Sequence, residues 1–295
     1  MPVAGIDIGG TTTKLALVGP DGKIEGLRTI PTAPGHAPEF VDRVAAAFHE
    51  AGLRGDRVGV AVAGFVSDAH DAVAYNPNLP WLERFPLRTA LEQELGLPVT
   101  IEADSNAAAV AEWRWGAGGG SSRFLCLAAG TGLGGGMLVG GKLLRYAYEG
   151  VGDVGHVIVA PGVALCSCGG KGCAEALVGA NAIAGRFRDA GGSATDLRDV
   201  IEQAFARNPL AIRLIEDAGR WLGLALSTLA NILFPDRIAI AGGLSEAGDL
   251  LLEPCRAVFQ ENASAFASRC ARIVKAELGW RATLAGAGAC ATLDA

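Results

Sequence analysis

Several features that mark other protein classes are missing from this sequence. It has no basic run, and 25 Lys and Arg against 31 Asp and Glu leave a net charge of −6. Nucleic-acid binders normally carry a basic stripe, so no nucleic-acid partner is expected. No stretch reaches the ~18 uncharged apolar residues of a membrane span, and the first ten residues do not read as a signal peptide. We therefore expect no membrane association and a cytoplasmic location.

The sequence also lacks two common signatures of redox and nucleotide chemistry. Its seven cysteines are odd in number and contain no C-x-x-C pair, so neither a disulfide framework nor a redox centre is expected. The P-loop pattern ending in G-K-S/T is absent. Residues 130–135 match G-x-G-x-x-G, but the segment after them does not read as a helix, so a nicotinamide enzyme is not expected.

Glycine is abundant, with 42 residues, and it clusters where predicted strands end. A strand, a glycine-rich turn and a second strand occur near residue 8 and again near residue 130. Strands and helical patterns alternate along the rest of the chain, including one long helix from about Pro209 to Leu233. The alternation predicts an α/β fold. The repeated turn predicts two similar lobes with a cleft between them.

The two glycine-rich turns are candidate phosphate-binding loops. Loop one is residues 7–14 (DIGGTTTK), and loop two is residues 130–136 (GTGLGGG). Backbone N–H groups that lack a neighbouring Cβ can approach phosphate oxygens, and threonine hydroxyls add donors. Asp7, at the end of its strand, can hold a hydrated Mg²⁺ against the phosphates. Two ordinary hairpin turns would explain the same residues.

A cluster of one histidine and three cysteines predicts a metal centre. His156, Cys166, Cys168 and Cys173 form an H-x9-C-x-C-x4-C arrangement, with glycines that permit a tight chain reversal. One imidazole and three thiolates make a closed tetrahedral Zn²⁺ site, which leaves no open position for catalysis. We therefore expect a structural zinc that pins the loop presenting Glu175. Free thiols in a turn are the alternative.

Asp104 lies where a predicted strand, residues 99–104, runs into a helix. A carboxylate at such a junction can accept the proton of a hydroxyl group that attacks a phosphoryl group. From the residues alone, an N-cap of the following helix is the better interpretation.

Three segments, DIGGTTTK, AAGTGLGGG and IAIAGG, resemble in order and separation the superfamily of sugar kinases, heat-shock chaperone ATPases and actin. In that superfamily they are two phosphate loops and an adenosine loop. The cysteine cluster is similar to that of the ROK family of bacterial sugar kinases, and the resemblance covers essentially the whole chain. It implies a two-lobed actin-like (ribonuclease H-like) α/β fold, ATP with Mg²⁺, Asp104 as catalytic base and a homodimer. The cofactor-binding residues that it implies are Asp7, Gly9, Gly10, Thr11, Thr12, Lys14, Gly130, Thr131, Gly132, Gly134, Gly242 and Gly243.

The resemblance also implies which residues line the sugar: Gly64, Asn78, Ala103, Asp104, Asp153, His156 and Glu175. Two positions depart from the family pattern, because its Asn-Asp pair reads Ala103-Asp104 here and its Glu-x-Gly-His begins with Asp153. Loss of the Asn removes an amide contact to a ring hydroxyl, which costs a few kcal/mol if the hydroxyl stays unpaired. Since the acidic residues remain, an amino sugar such as kanosamine suits the change. Glucose and N-acetylated hexosamines stay open.

These observations predict an ATP-dependent hexose kinase that phosphorylates the 6-hydroxyl of glucose or a glucose-like amino sugar. An N-acetylhexosamine kinase is the alternative. The predicted lobes are residues 1–107 plus 283–295, and residues 108–282 with the zinc loop. A sugar-responsive ROK repressor is disfavoured because only six residues precede loop one, too few for a winged helix. A non-catalytic nucleotide-binding scaffold is disfavoured by the two loops together with Asp7 and Asp104.

Overall fold

The computed structural model describes residues 3–33, 35–76, 78–146 and 150–293. The strands are β1 (Val3–Ile8), β2 (Thr12–Val18), β3 (Ile24–Pro31), β4 (Val58–Val62), β5 (Phe65–Val66), β6 (Val73–Tyr75), β7 (Val99–Ala103), β8 (Arg123–Ala129), β9 (Leu133–Val139), β10 (Lys142–Leu143), β11 (Arg237–Ala241) and β12 (Arg272–Lys275). The helices are α1 (Ala37–Glu50), α2 (Leu87–Leu95), α3 (Asp104–Trp115), α4 (Glu175–Val178), α5 (Ala180–Asp189), α6 (Leu197–Phe205), α7 (Pro209–Leu233), α8 (Asp249–Asn262), α9 (Ala265–Cys270) and α10 (Ala282–Cys290).

Two five-stranded sheets have the same internal plan. The first has the order β3-β2-β1-β4-β7 and the second β10-β9-β8-β11-β12. In each, an antiparallel hairpin is followed by parallel strands, with β1, β4 and β7 parallel in one and β8, β11 and β12 parallel in the other. Because parallel strands end at the same sheet edge, residues far apart in sequence meet there.

The chain divides into two compact units. The first comprises residues 1–116, 142–152 and 280–295, and the second residues 117–141 and 153–279. In the first unit β4, VGVAV, is buried at all five positions, as expected of a central strand covered on both faces. In the second unit the 25-residue helix α7 buries an apolar stripe at helical spacing and packs against α8.

The predicted lobe boundaries differ from this division chiefly at residues 108–116 and 142–152, and the packing of α10 explains the first difference. A Cβ on Gly286 would lie 1.8 Å from the carbonyl oxygen of Ala107, and one on Gly59 would lie 1.8 Å from that of Ala287. Glycine at these positions lets α10 lie directly against α3 and β4. All of α3, including residues 108–115, therefore belongs to the first unit. The predicted C-terminal helix runs over Ala282–Cys290, and residues 294 and 295 lie outside the described residues.

Within the described ranges, no helix is long and apolar enough to cross a membrane.

Candidate functional site

Loop one is the turn of the β1–β2 hairpin in the first unit. The Gly9 N–H donates to the carbonyl oxygen of Thr12 at 3.1 Å, and this bond closes the turn. Gly10, Thr11 and Thr12 are exposed. Lys14 lies on β2 with its Nζ 3.5 Å from Oδ2 of Asp7, the residue opposite it on β1. The loop therefore joins a carboxylate, an ammonium and a glycine-rich backbone.

Asp104 is the first residue of α3, directly after the carboxyl end of β7. The N-cap is Ala103 rather than Asp104, and the Asp104 Oδ1 accepts the N–H of the adjacent Ser105 at 2.7 Å. Burial raises the pKa of Asp104 to about 6, and the negative charge of Asp7 adds to this shift. Since β1 and β7 are both parallel to β4, the two carboxylates meet at one sheet edge.

Burial also shifts the pKa of Asp7, but this carboxyl has a cationic neighbour. Burial raises the pKa of its carboxyl, whereas the charge and hydrogen bond of Lys14 act in the opposite direction. The sheet edge thus holds two carboxylates, of which only Asp7 has a lysine partner in the described residues. A bound divalent cation would compensate this concentration of negative charge.

A buried ion pair supports the junction that carries Asp104. The carboxylate of Glu102, which is 1% exposed, accepts from Arg145 Nη2 at 2.7 Å. Its other oxygen accepts from Asn106 Nδ2 at 2.8 Å and from the Ala103 N–H at 3.0 Å. Arg145 lies in the 142–152 segment, which the fold assigns to the first unit. Sequence reasoning missed this contact because nothing in the spacing of Glu102 and Arg145 indicates it.

Gly64, between β4 and β5, and Asn78, after β6, are linked by a residue that sequence reasoning did not single out. Asn76 is fully buried, and its Oδ1 accepts the N–H groups of Asn78 and Leu79 while its Nδ2 donates to the carbonyl oxygen of Ala63. Gly64 has a φ of 96°, and a Cβ there would lie 2.5 Å from the carbonyl oxygen of Tyr75. Asn78 itself is exposed, next to Pro77, which lies outside the described residues. Asn76 therefore fixes the turn that presents Asn78.

In the second unit the four predicted metal ligands come together. The donor atoms of His156, Cys166, Cys168 and Cys173 all lie within 4.8 Å of one another. Cys166 Sγ is 3.5 Å from His156 Nδ1, and Cys168 Sγ is 3.7 Å from Cys173 Sγ. A zinc tetrahedron with Zn–S of about 2.3 Å and Zn–N of about 2.0 Å has edges of about 3.5 Å for S···N and 3.8 Å for S···S. The donor set and its spacing fit Zn²⁺.

The segment that carries these four candidate ligands, residues 156–173, is flanked by the two predicted sugar-binding carboxylates, Asp153 and Glu175. His156 Nε2, the ring nitrogen that faces away from Cys166, lies 3.4 Å from Asp153 Oδ2. The pKa of Asp153 is raised by burial and by the charge of Glu175, and His156 opposes the shift. Asp153, His156 and Glu175 therefore form one electrostatic group in the second unit.

Loop two connects β8 to β9, and it is closed by a hydrogen bond within the turn and by one to Glu175. Gly130 N–H donates to the carbonyl oxygen of Gly132 at 2.9 Å. The N–H of Leu133 donates to Glu175 Oε2 at 3.0 Å. Gly134 lies within β9, opposite Ala128, rather than in the turn itself. Thr131 is exposed at the tip of the turn.

The predicted adenosine residues follow β11, a strand adjacent to β8. Gly242 has a φ of 85°, and a Cβ there would lie 2.3 Å from the carbonyl oxygen of Ala129. Only glycine satisfies both conditions. Gly243 begins a short 3₁₀ helix, and its Cβ position is open. Because β11 is parallel to β8, these glycines lie at the same sheet edge as loop two.

The sequence of this chain is similar to those of known proteins. The model of the ROK family matches residues 3–293. The chain belongs to the ROK family. It is 34% identical over 304 residues to a glucokinase of Streptomyces coelicolor, covering 96% of this chain and 95% of that one. It is 33% identical over 257 residues to an N-acetylmannosamine kinase of Shigella flexneri, covering 86% and 87%.

A solved ROK structure extends this likeness to the fold. The crystal structure of a ROK family glucokinase from Streptomyces griseus, in complex with glucose and AMPPNP, matches with a TM-score of 0.86 and 34% identity. The match covers 99% of each chain. The predicted family and the predicted actin-like α/β fold class are thus confirmed.

Proposed function

We propose that this chain is an ATP-dependent hexose kinase that transfers the γ-phosphoryl group of ATP to the 6-hydroxyl of glucose or a glucose-like sugar. Its likeness to glucokinases along nearly its full length supports the activity. The observation that carries the mechanism is the Asp104 carboxylate at the edge of the first sheet, with a pKa of about 6. A base with this pKa is mostly ionised near neutral pH and still accepts a proton readily.

In the proposed reaction, Asp104 accepts the proton of the sugar hydroxyl as its oxygen forms a bond to the γ-phosphorus. The bond from this phosphorus to the bridging oxygen breaks, and ADP leaves with that electron pair. Loops one and two would bind the phosphate oxygens through backbone N–H groups and threonine hydroxyls, and Gly242 and Gly243 would face the adenosine. Asp7 would hold a hydrated Mg²⁺, which neutralises charge on the phosphates. Lys14 would keep Asp7 ionised.

Glucose is the first candidate for the sugar, and an amino sugar is the second. The glucokinase relatives support glucose. The second candidate is favoured by the carboxylate of Asp153, whose pKa is raised by burial, lowered by the charge of His156 and raised to a smaller extent by the charge of Glu175. An ammonium group on the sugar would stabilise the ionised form of this carboxylate. Ala103, which is 7% exposed, provides no amide for a ring hydroxyl.

A panel of hexoses tests the activity and the sugar together. Glucose, mannose, glucosamine, kanosamine, N-acetylglucosamine and N-acetylmannosamine are compared by kcat/KM with ATP and Mg²⁺. 6-Deoxyglucose, which lacks the reacting hydroxyl, is the matched control and should be inert. We expect glucose to react and its product to be the 6-phosphate. A kcat/KM for kanosamine about tenfold above that for glucose would assign the second sugar, and no turnover of any hexose would contradict the proposal.

The proposal includes a structural Zn²⁺ held by His156, Cys166, Cys168 and Cys173. Zinc at this position would fix the loop on which Asp153 and Glu175 lie, while the second nitrogen of His156 stays oriented by Asp153. Elemental analysis of the purified protein should give one zinc per chain, and a protein active without zinc would exclude this part of the proposal.

The proposal also includes a homodimer, which the family resemblance supports. The second unit exposes large apolar side chains, among them Leu165, Ile232 and Phe266, that association can cover. Sedimentation equilibrium should give about twice the chain mass of 30.1 kDa. A mass of one chain across the concentration range would exclude the dimer.

A further inference from the structure

Glu175 contacts loop two directly. Its Oε2 accepts the N–H of Leu133 at 3.0 Å, and Leu133 is only 3% exposed. The same oxygen fills the space beside Gly132, where a Cβ would lie 2.5 Å from it. The carboxylate therefore occupies the position that a side chain at residue 132 would take.

The residues after Glu175 contact the same loop. The N–H of Ala180 donates to the carbonyl oxygen of Gly130 at 2.9 Å. A Cβ on Gly179 would lie 2.9 Å from the carbonyl oxygen of Thr131, so this turn packs against the loop backbone. Together with the carboxylate of Glu175, these contacts reach four consecutive residues, 130–133.

Glu175 also lies at the end of the zinc loop. It follows Cys173, the last of the metal-ligand cysteines, by two positions and is the first residue of α4. Arg186 on α5 donates to the carbonyl oxygen of Leu177, and this contact ties the short helix α4 to α5. Cys173 is therefore connected to loop two by two residues of chain and one hydrogen bond, that of Glu175 with the Leu133 N–H.

We propose that Glu175 is a positioning residue for loop two, so that the zinc loop sets the backbone geometry in which the loop binds the phosphates of ATP. This inference rests on the proposed function and adds a nucleotide-binding role to a residue expected to contact only the sugar. Glycine-rich loops lose much conformational entropy when a ligand orders them. A hydrogen bond that holds the loop before ATP arrives reduces that cost and strengthens binding.

Three substitutions separate this role from contact with the sugar. Glu175→Ala removes the acceptor and should raise the Kd for nucleotide about tenfold, the effect of one buried hydrogen bond. Glu175→Gln retains an acceptor oxygen for Leu133 and should keep the Kd within about twofold. Gly132→Ala displaces the carboxylate through its new Cβ, and its effect should not add to that of Glu175→Ala.

The matched control is Asp153→Ala. Asp153 is another carboxylate of the same electrostatic group, and no contact of it with loop two is among those described. This variant should change the apparent affinity for sugar and leave the Kd for nucleotide unchanged. Circular dichroism and zinc content establish that each variant is folded.

The measurement is calorimetric titration of the zinc-loaded protein with AMPPNP and Mg²⁺ in the absence of sugar. We expect wild type and Glu175→Gln to bind AMPPNP with similar Kd values. Glu175→Ala and Gly132→Ala should both bind it more weakly, with much higher Kd values. Equal Kd values for wild type and Glu175→Ala would overturn the inference, as would equal weakening by Asp153→Ala. If Glu175→Ala does not fold, Glu175→Asp, whose carboxylate is one methylene shorter and withdraws from the Leu133 N–H, takes its place against wild type and Glu175→Gln. Failure of the wild type to bind AMPPNP would instead contradict the proposed function.

Discussion

Removal of the Asp104 charge should stabilise the protein while it stops catalysis. Burial and the nearby Asp7 raise the pKa of Asp104 from 3.8 to about 6 in the folded state. The folded state therefore binds this proton more tightly than the unfolded state does. The contribution of Asp104 to the free energy of unfolding is fully present below about pH 4 and is lost as the pH rises through about pH 6.

The size of the effect follows from the shift. A difference of about two pKa units corresponds to about 3 kcal/mol, reached near pH 7. Asp104→Asn removes the titration and retains an oxygen for the Ser105 N–H, which donates at 2.7 Å. We therefore expect the variant to be more stable than the wild type by up to about 3 kcal/mol near pH 7, and by less than about 1 kcal/mol near pH 4.

Urea denaturation in magnesium-free buffer, across a series of pH values, measures this difference. Asp42→Asn is the matched control, since Asp42 is exposed on α1 in the same unit, and its free energy of unfolding should track the wild type. Equal or lower stability of Asp104→Asn near pH 7 would refute the reasoning. A gain of the same size at pH 4 would also refute it, because it would not come from the charge.

Three further predictions concern the pH profile, the metal and the ion pair. As the pH is raised, the kcat/KM of the wild type should rise with an apparent pKa of about 6. Asp7→Asn should move this midpoint to lower pH because a negative charge next to Asp104 is lost. Assays of kcat/KM over a series of pH values measure both. Cys173→Ser should abolish the bound zinc and lower Tm by several degrees, as elemental analysis and thermal denaturation will show, and unchanged metal content would contradict the site. Arg145→Gln should cost about 3 kcal/mol in urea denaturation because it leaves the buried Glu102 without its cation, whereas Arg220→Gln, which removes an exposed ion pair on α7, should cost less than about 1 kcal/mol.

Local patterns predicted most of the elements that carry the site. The strand that carries Asp7, the strand that leads into Asp104, the hairpin of loop two and the helix from Pro209 to Leu233 all follow from residues close together in sequence. The metal cluster was predictable because its spacing is short and its chemistry specific. Each of these features is encoded by residues within about 25 positions of one another, the range over which hydrophobic periodicity and turn residues predict local structure.

Contacts between distant segments were not predictable. Arg145 reaches Glu102 across 43 positions, and Glu175 reaches Leu133 across 42. The placement of α3 with the first unit depends on Gly286, which lets α10 lie directly against the backbone at Ala107. The sequence around Gly286 does not indicate this contact. These contacts arise from tertiary packing, which has no periodic trace in a single sequence.

The central claim is that Asp104 is the base of an ATP-dependent hexose kinase. The most direct test compares steady-state turnover of glucose by wild type and Asp104→Asn at saturating ATP and Mg²⁺ near neutral pH. We expect wild-type turnover to glucose 6-phosphate, and a kcat at least about 100-fold lower for the variant with little change in the binding of glucose. Full turnover by Asp104→Asn would contradict the account.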